Sequence, residues 1–310
     1  DSGLTATGKY SYHFDLEYAE GFRVTAARLF IDDSMSVDLE ADGYDLVYDP
    51  VRNCLYVCVP ERSSIVIVSL DRFVVTGRLG FLGAPFNAVL SQEGSTLYVP
   101  AHAGAGLAIV DLSSRLIRYM ESSSLSLSHY LRDALEYRPG RVVLVSDESG
   151  AGSAYLLEYH SSPSDTLIRL AGAGVYNWYG GELQLSADSN SVFLLRYTET
   201  GLLIDKFVIA YNTLIHTHNR YFAPTALLPI RFSVSKVTGR LYLPNGHVLD
   251  SSDLSSLGTT GYEGAVCLSE DGSDLYVGQN DNLLILDAAS YAVKRTIPVP
   301  SRIRGLWASP

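Results

Sequence analysis

Lysine is scarce in this chain: four occur in 310 residues, and the formal net charge is −11. That shortage argues against nucleic acid, because phosphate recognition needs a concentrated basic surface. It disfavours anionic membrane surfaces for the same reason. No apolar run approaches the roughly 18 residues of a membrane-spanning helix, so no membrane insertion is expected. Cysteine is rare too. Cys54 and Cys58 fall four apart on one strand-like segment, about 13 Å at the usual rise and too far for a bridge. Together with Cys267 they read as free thiols that fill space in a core. Asn-x-Ser/Thr sequons are absent, which favours a prokaryotic source. The chain opens on Asp1 rather than Met, as expected of a processed or excised piece of a larger surface protein or assembly.

Catalytic signatures are missing as well. The sequence contains no G-x-S-x-G elbow, phosphate loop, G-x-G-x-x-G turn or H-E-x-x-H helix. His216 and His218 flank Thr217 on a strand-like run, without a third ligand in view, and read as surface residues. No metal and no cofactor is expected.

What is present is repetition. "LVYDPVRNCLYV" (Leu46 to Val57), "AVLSQEGSTLYV" (Ala88 to Val99) and "AVCLSEDGSDLYV" (Ala265 to Val277) share one plan: an apolar strand, a polar turn, then Leu-Tyr-Val. Looser copies are "LQLSADSNSVFLL" and "FSVSKVTGRLYL". The residue before the turn is Asp49, Ser91, Tyr137, Ser186, Ser235, Ser269 and Ser309, at intervals of 34 to 49 residues. Such a period marks stacked or radially arranged units. Each Leu-Tyr-Val strand is followed by a third strand, as in "SIVIVSLD", "GLAIVDLSS" and "NLLILDAAS", ending at Asp71, Asp111 and Asp287. A more polar fourth follows, as in "FVVTGRLGF", "RLIRYME" and "AVKRTIPV". Four antiparallel strands per repeat is the plan of a propeller blade, and no segment carries a helical period.

The stretch "LYVGQNDNLLILDAASYAVKRTIPVPSRIRGLWASP" resembles the bacterial and archaeal YVTN family of propeller repeats. Leu107 to Asp111, Leu-Ala-Ile-Val-Asp, is similar to the related LVIVD pattern. The Tyr-Val-Thr-Asn tetrapeptide itself is replaced, for example by Tyr276-Val277-Gly278-Gln279. The resemblance implies an all-β propeller. It also implies a range of roles, since such propellers serve as surface proteins, lactonases, lyases and dehydrogenase subunits.

The expected architecture is a single seven-bladed propeller over residues 1–310. Its blades fall near 44–83, 84–126, 127–174, 175–224, 225–260 and 261–300, and the seventh combines 301–310 with 9–41. Loops leading into the innermost strands carry Tyr130, Trp178, Tyr179, Phe222 and Tyr262, with Arg132, Glu182, Arg231, Glu263, Arg302 and Arg304 nearby. Arg62, His102 and His247 fall in loops expected on the same face. Aromatics interleaved with Arg and Glu at a concave mouth suit a ligand or partner site. The site is therefore expected at Tyr130, Arg132, Trp178, Tyr179, Phe222, Tyr262, Glu263 and Arg304. The expected role is a non-enzymatic binding or structural propeller, extracellular, cell-surface or periplasmic, facing a protein or glycan. The alternative is a lactonase-like or lyase-like enzyme with an axial site, which requires Glu182, Glu263, His102 and His247 to converge.

Overall fold

The computed structural model describes residues 11–15, 28–30, 36–39, 41, 43–102, 106–120, 129–148, 153–161, 165–170, 175–176, 178–198, 201–211, 213–223, 231–298 and 303–308. Three short N-terminal strands come first: β1 (Ser11–Asp15), β2 (Arg28–Phe30) and β3 (Ser36–Asp38). Blade 1 is β4 (Asp45–Asp49), β5 (Cys54–Val59), β6 (Ser64–Ser69) and β7 (Val74–Gly80). Blade 2 has an interrupted inner strand, β8 (Ala84–Pro85) and β9 (Val89–Leu90), then β10 (Thr96–His102), β11 (Gly106–Asp111) and β12 (Ile117–Met120).

Blade 3 holds β13 (His129–Arg138), β14 (Arg141–Glu148), β15 (Ser153–His160) and β16 (Thr166–Arg169), with β17 (Val175–Tyr176) added to β15. Blade 4 is β18 (Trp178–Leu185), β19 (Ser191–Thr198), β20 (Gly201–Ala210) and β21 (Thr213–Phe222). Blade 5 is the shortest: β22 (Ser233–Val234), β23 (Arg240–Tyr242), β24 (His247–Asp250) and β25 (Ser256–Thr259). Blade 6 comprises β26 (Ala265–Leu268), β27 (Asp274–Gln279), β28 (Asn282–Asp287) and β29 (Val293–Pro298), and the described chain ends in β30 (Ile303–Ala308). All pairings are antiparallel, and sequential strands are neighbours in each blade apart from the split inner strand of blade 2 and the added β17. One 3-10 turn, Pro60–Arg62, is the helical element among the described residues.

The repeat is legible in hydrogen bonds. In five of the repeats the residue before the first turn accepts backbone N–H groups from that turn. Ser186 Oγ takes the amide of Ser191 at 2.8 Å, Ser269 Oγ that of Asp274 at 2.9 Å, and Ser91 Oγ that of Thr96 at 3.0 Å. Ser235 does the same for Thr238, and Asp49 for Val51 and Arg52. Tyr137 cannot cap in this way; its hydroxyl donates to Glu158, and Gly140 at φ +70° makes the turn. The aspartates that end third strands cap the next turn: Asp111 accepts from Ser114, Asp250 from Ser252 and Asp287 from Ser290.

Second strands lose the usual alternation because both faces are covered. All six residues of β5 are buried, whereas β7 alternates along its length. Each seam between blades is an apolar cluster. Cys58, Ile65 and Leu79 of blade 1 meet Leu97, Val99 and Val110 of blade 2, and Phe193 and Leu202 of blade 4 meet Leu241 and Leu249 of blade 5. Cys54 and Cys58 are buried and packed as small apolar groups, and no disulfide joins the three cysteines.

The blade count differs from the expectation of seven. Among the described residues six four-stranded blades are present, and the terminal strands form two separate two-stranded ladders, β1–β30 and β2–β3. The ends of the chain do pair, with Tyr12 opposite Trp307 and Ser11 opposite Ala308. β2 lies beside β1, but no ladder joins them among the described residues. As described, β2 and β3 have three residues each and pair only with one another. Val37, Leu39 and Ala41 pack on blade 1, while β30 lies against β26 of blade 6.

Candidate functional site

Four residues before the residue that precedes each first turn, Asp45, Asn87, Asp133, Glu182 and Arg231 stand on or beside the innermost strands of blades 1 to 5. Ring geometry brings these unlike side chains together at the axis. Arg231 bonds to Asp45, and its Nη1 lies 3.5 Å from Glu182 Oε1. Asn87 Nδ2 donates to the other oxygen of Asp45 at 2.8 Å.

The carboxylates also accept amides from the following blade. Asp133 Oδ2 takes the N–H of Leu183 at 2.6 Å, and Glu182 Oε2 that of Phe232 at 2.8 Å. Asp45 bonds to the amide of Ala88 in the same way. Burial pushes all three carboxyls up. Arg231 opposes the rise at Asp45, and at Glu182, which reaches about 7. Asp133 rises well above the carboxylate range because burial is reinforced by the charge of Glu182.

Beside this cluster, the inner strands of blades 4 to 6 enclose a cavity of about 240 Å³ that reaches the first turns of blades 5 and 6. Glu182, Gln184, Arg231 and Ser233 line it, with Lys236 and Glu270 at those turns.

The expected binding residues fall on the opposite face, at the ends where the chain leads into the blades. Three of them gather around the β23–β24 turn. Phe222 is buried in the blade 4–5 seam, and His247 packs on its ring at 4.6 Å. Gly246, at φ +79°, is so close to the loop before β26 that a Cβ would sit 2.7 Å from the carbonyl oxygen of Tyr262. Tyr262 is half-buried and Glu263 beside it is exposed. Burial and the Arg220 charge lower the pKa of His247, and Glu263 opposes them. Asn245 Nδ2 and His247 Nδ1 are buried without a hydrogen-bond partner among the described residues.

Arg132 sits half-buried on β13 in blade 3, away from this group. The strand positions of Tyr130, Trp178, Tyr179 and Arg304 are described, on β13, β18 and β30; their side chains lie outside the described residues, as does that of His102. His216 lies on the outermost strand of blade 4, 3.0 Å from Asp205.

Two groups of residues escaped the sequence reading. Tyr44 and Phe86, each one position before an axial residue, meet edge-to-face at 4.8 Å, with Tyr44 47% exposed. The axial set Asp45, Asn87 and Asp133 escaped because its members share a position and not a chemistry. The constant offset of four from the residue before the first turn was the signal that could have found it.

A scan against protein-family models matches none, and a search of curated proteins matches none. Solved structures do match. The fold is a β-propeller. A proposed 6-phosphogluconolactonase from Bacteroides fragilis is similar at 14% identity over 100% of both chains, with a TM-score of 0.65. Hydrazine synthase from Kuenenia stuttgartiensis matches at 12% identity over 89% of this chain and 90% of its own, TM-score 0.63. The β-propeller domain of Cps50 (Swd1) from Myceliophteria thermophila matches at 13%, over 86% and 88%, TM-score 0.61. At such identities the likeness is one of fold, and propellers of this shape carry unrelated functions.

Proposed function

We propose that the chain is a non-enzymatic binding propeller that presents its lead-in loop face to a protein or glycan partner outside the cytoplasm. The observation that carries this reading is the internally bonded axis. Arg231 is paired with Asp45 and Glu182, and three carboxylates spend acceptor positions on amides of neighbouring blades. Charges used this way hold blades together. Among the described residues no group of three His, Cys, Asp or Glu side chains is arranged to hold a metal. The lead-in face offers what recognition needs: the half-exposed Tyr44 against Phe86, Tyr262, and the exposed Glu263. The location outside the cytoplasm rests on the acidic, Ser- and Tyr-rich composition alone.

Affinity capture and a glycan array, run with the parent chain and a Tyr44→Ser/Glu263→Lys variant, test the proposal. A partner held by the parent and lost by the equally stable variant supports it. An identical binding profile for the two proteins overturns it.

One observation favours the enzymatic alternative: Glu182, with a pKa of about 7, lines a cavity beside the axial cluster. Against it, Glu182 is ion-paired with Arg231 and accepts hydrogen bonds from Gln184 and the Phe232 amide, while His247 belongs to the Phe222 seam. Lactone hydrolysis that disappears in Glu182→Gln would decide for the enzyme.

A further inference from the structure

A second recess lies on the opposite side of the ring from the lead-in loops, in the seam between blades 1 and 2. It measures about 280 Å³ and is lined by Arg52, Ser69, Ile67, Leu79, Leu112 and Arg115, among others. Its walls are apolar where the blades meet, and two guanidinium groups stand at its edge. Arg52 is ion-paired with Asp49, so the positive charge that the cleft offers is that of Arg115, with the remaining nitrogens of Arg52 beside it.

The arginines are placed from the backbone upward. Asp49 caps the first turn of blade 1 and anchors Arg52, whose Nη1 lies 2.8 Å from Asp49 Oδ2 and donates to the Gly94 carbonyl at 2.7 Å. Both bonds run through Nη1. Arg115 occupies the last position of the blade 2 turn in a left-handed conformation, φ +59°, and its amide bonds back to Asp111. Its guanidinium has no hydrogen bond or ion pair among the described residues. The nearby acids are already engaged: Asp49 by Arg52, Tyr56 and two amides, and Asp111 by Ser113 and Ser114.

Gly77 lies beside the recess. A Cβ built there would meet Ile67 Cδ1 at 3.5 Å and Arg115 Nη1 at 3.8 Å, both ordinary contacts. A small substituent fits at position 77, and a long one would run into the cleft.

We propose that this recess binds a small organic anion, with its charged head between Arg52 and Arg115 and a short apolar tail against Ile67, Leu79 and Leu112. Guanidinium groups match carboxylate, sulfate and phosphate oxygens alike, so the head group is identified by experiment and the tail by the walls.

Calorimetric titration of the full chain with octanoate, octyl sulfate, octanol and inorganic phosphate tests the site. One of the two charged amphiphiles is expected to bind at a single site, with octanol and phosphate each weaker by about tenfold or more. Arg115→Asn suits the left-handed backbone and should keep the fold while weakening that ligand about tenfold. Gly77→Leu should abolish its binding and leave the melting transition in place. The proposal falls if neither charged amphiphile binds, if octanol binds as well as the anions, or if both folded variants bind like the parent.

Discussion

Arg231 bonds to Asp45 across 186 positions of sequence, and so ties the inner strand of blade 5 to that of blade 1. The contact cannot form in any isolated blade; it exists only in the closed ring. Replacing Arg231 with Met should strand Asp45 and Glu182 without their countercharge. Removing one partner of a buried pair costs about 3–5 kcal/mol, and urea denaturation would measure it. A double-mutant cycle with Asp45→Asn should show strong non-additivity. Additive losses would mean that the two residues do not act as a pair.

The pH dependence of stability carries the second prediction. Burial raises Glu182 from its ordinary 4.5 to about 7, so the folded chain keeps a proton that the unfolded chain releases. This contribution is present below pH 4.5 and is lost as pH rises through about 7. Asp45 and Asp133 are shifted in the same direction. The urea midpoint should therefore fall between about pH 5 and about pH 8, and less steeply in Glu182→Gln. Parallel profiles for the two proteins would remove Glu182 as the cause.

Phe222 and Glu263 neighbour the same turn and should separate cleanly. Phe222 is 8% exposed in the blade 4–5 seam, and Phe222→Ala should cost about 3–5 kcal/mol. Glu263 is exposed, and Glu263→Ala should stay within about 0.5 kcal/mol. Thermal melts of both variants decide whether Phe222 belongs to the core rather than to a contact surface.

Removal of residues 303–310 should lower the melting temperature of the whole ring as one cooperative transition. β30 pairs with β1 and packs against blade 6, so its loss exposes an edge and an apolar face together. A truncated chain that melts like the intact one would show that the terminal ladder is dispensable.

The sequence by itself determined the blade. Alternating apolar runs, a capping Ser or Asp and a Leu-Tyr-Val strand are local instructions, and the Ser186, Ser235 and Ser269 turns obey them within five residues. The gathering of Phe222, Tyr262 and Glu263 near one turn was also within reach, because topology alone sends lead-in and second-to-third-strand loops to one face. The axis was not. Asp45, Asn87, Asp133, Glu182 and Arg231 occupy one structural position, yet their contacts depend on blades separated by tens to nearly two hundred residues. No local rule marks them as partners. The blade count was likewise decided in three dimensions. Pattern placed strands at both termini; their pairing partners, β30 for β1 and β3 for β2 among the described residues, are contacts between distant or short segments that no local pattern specifies.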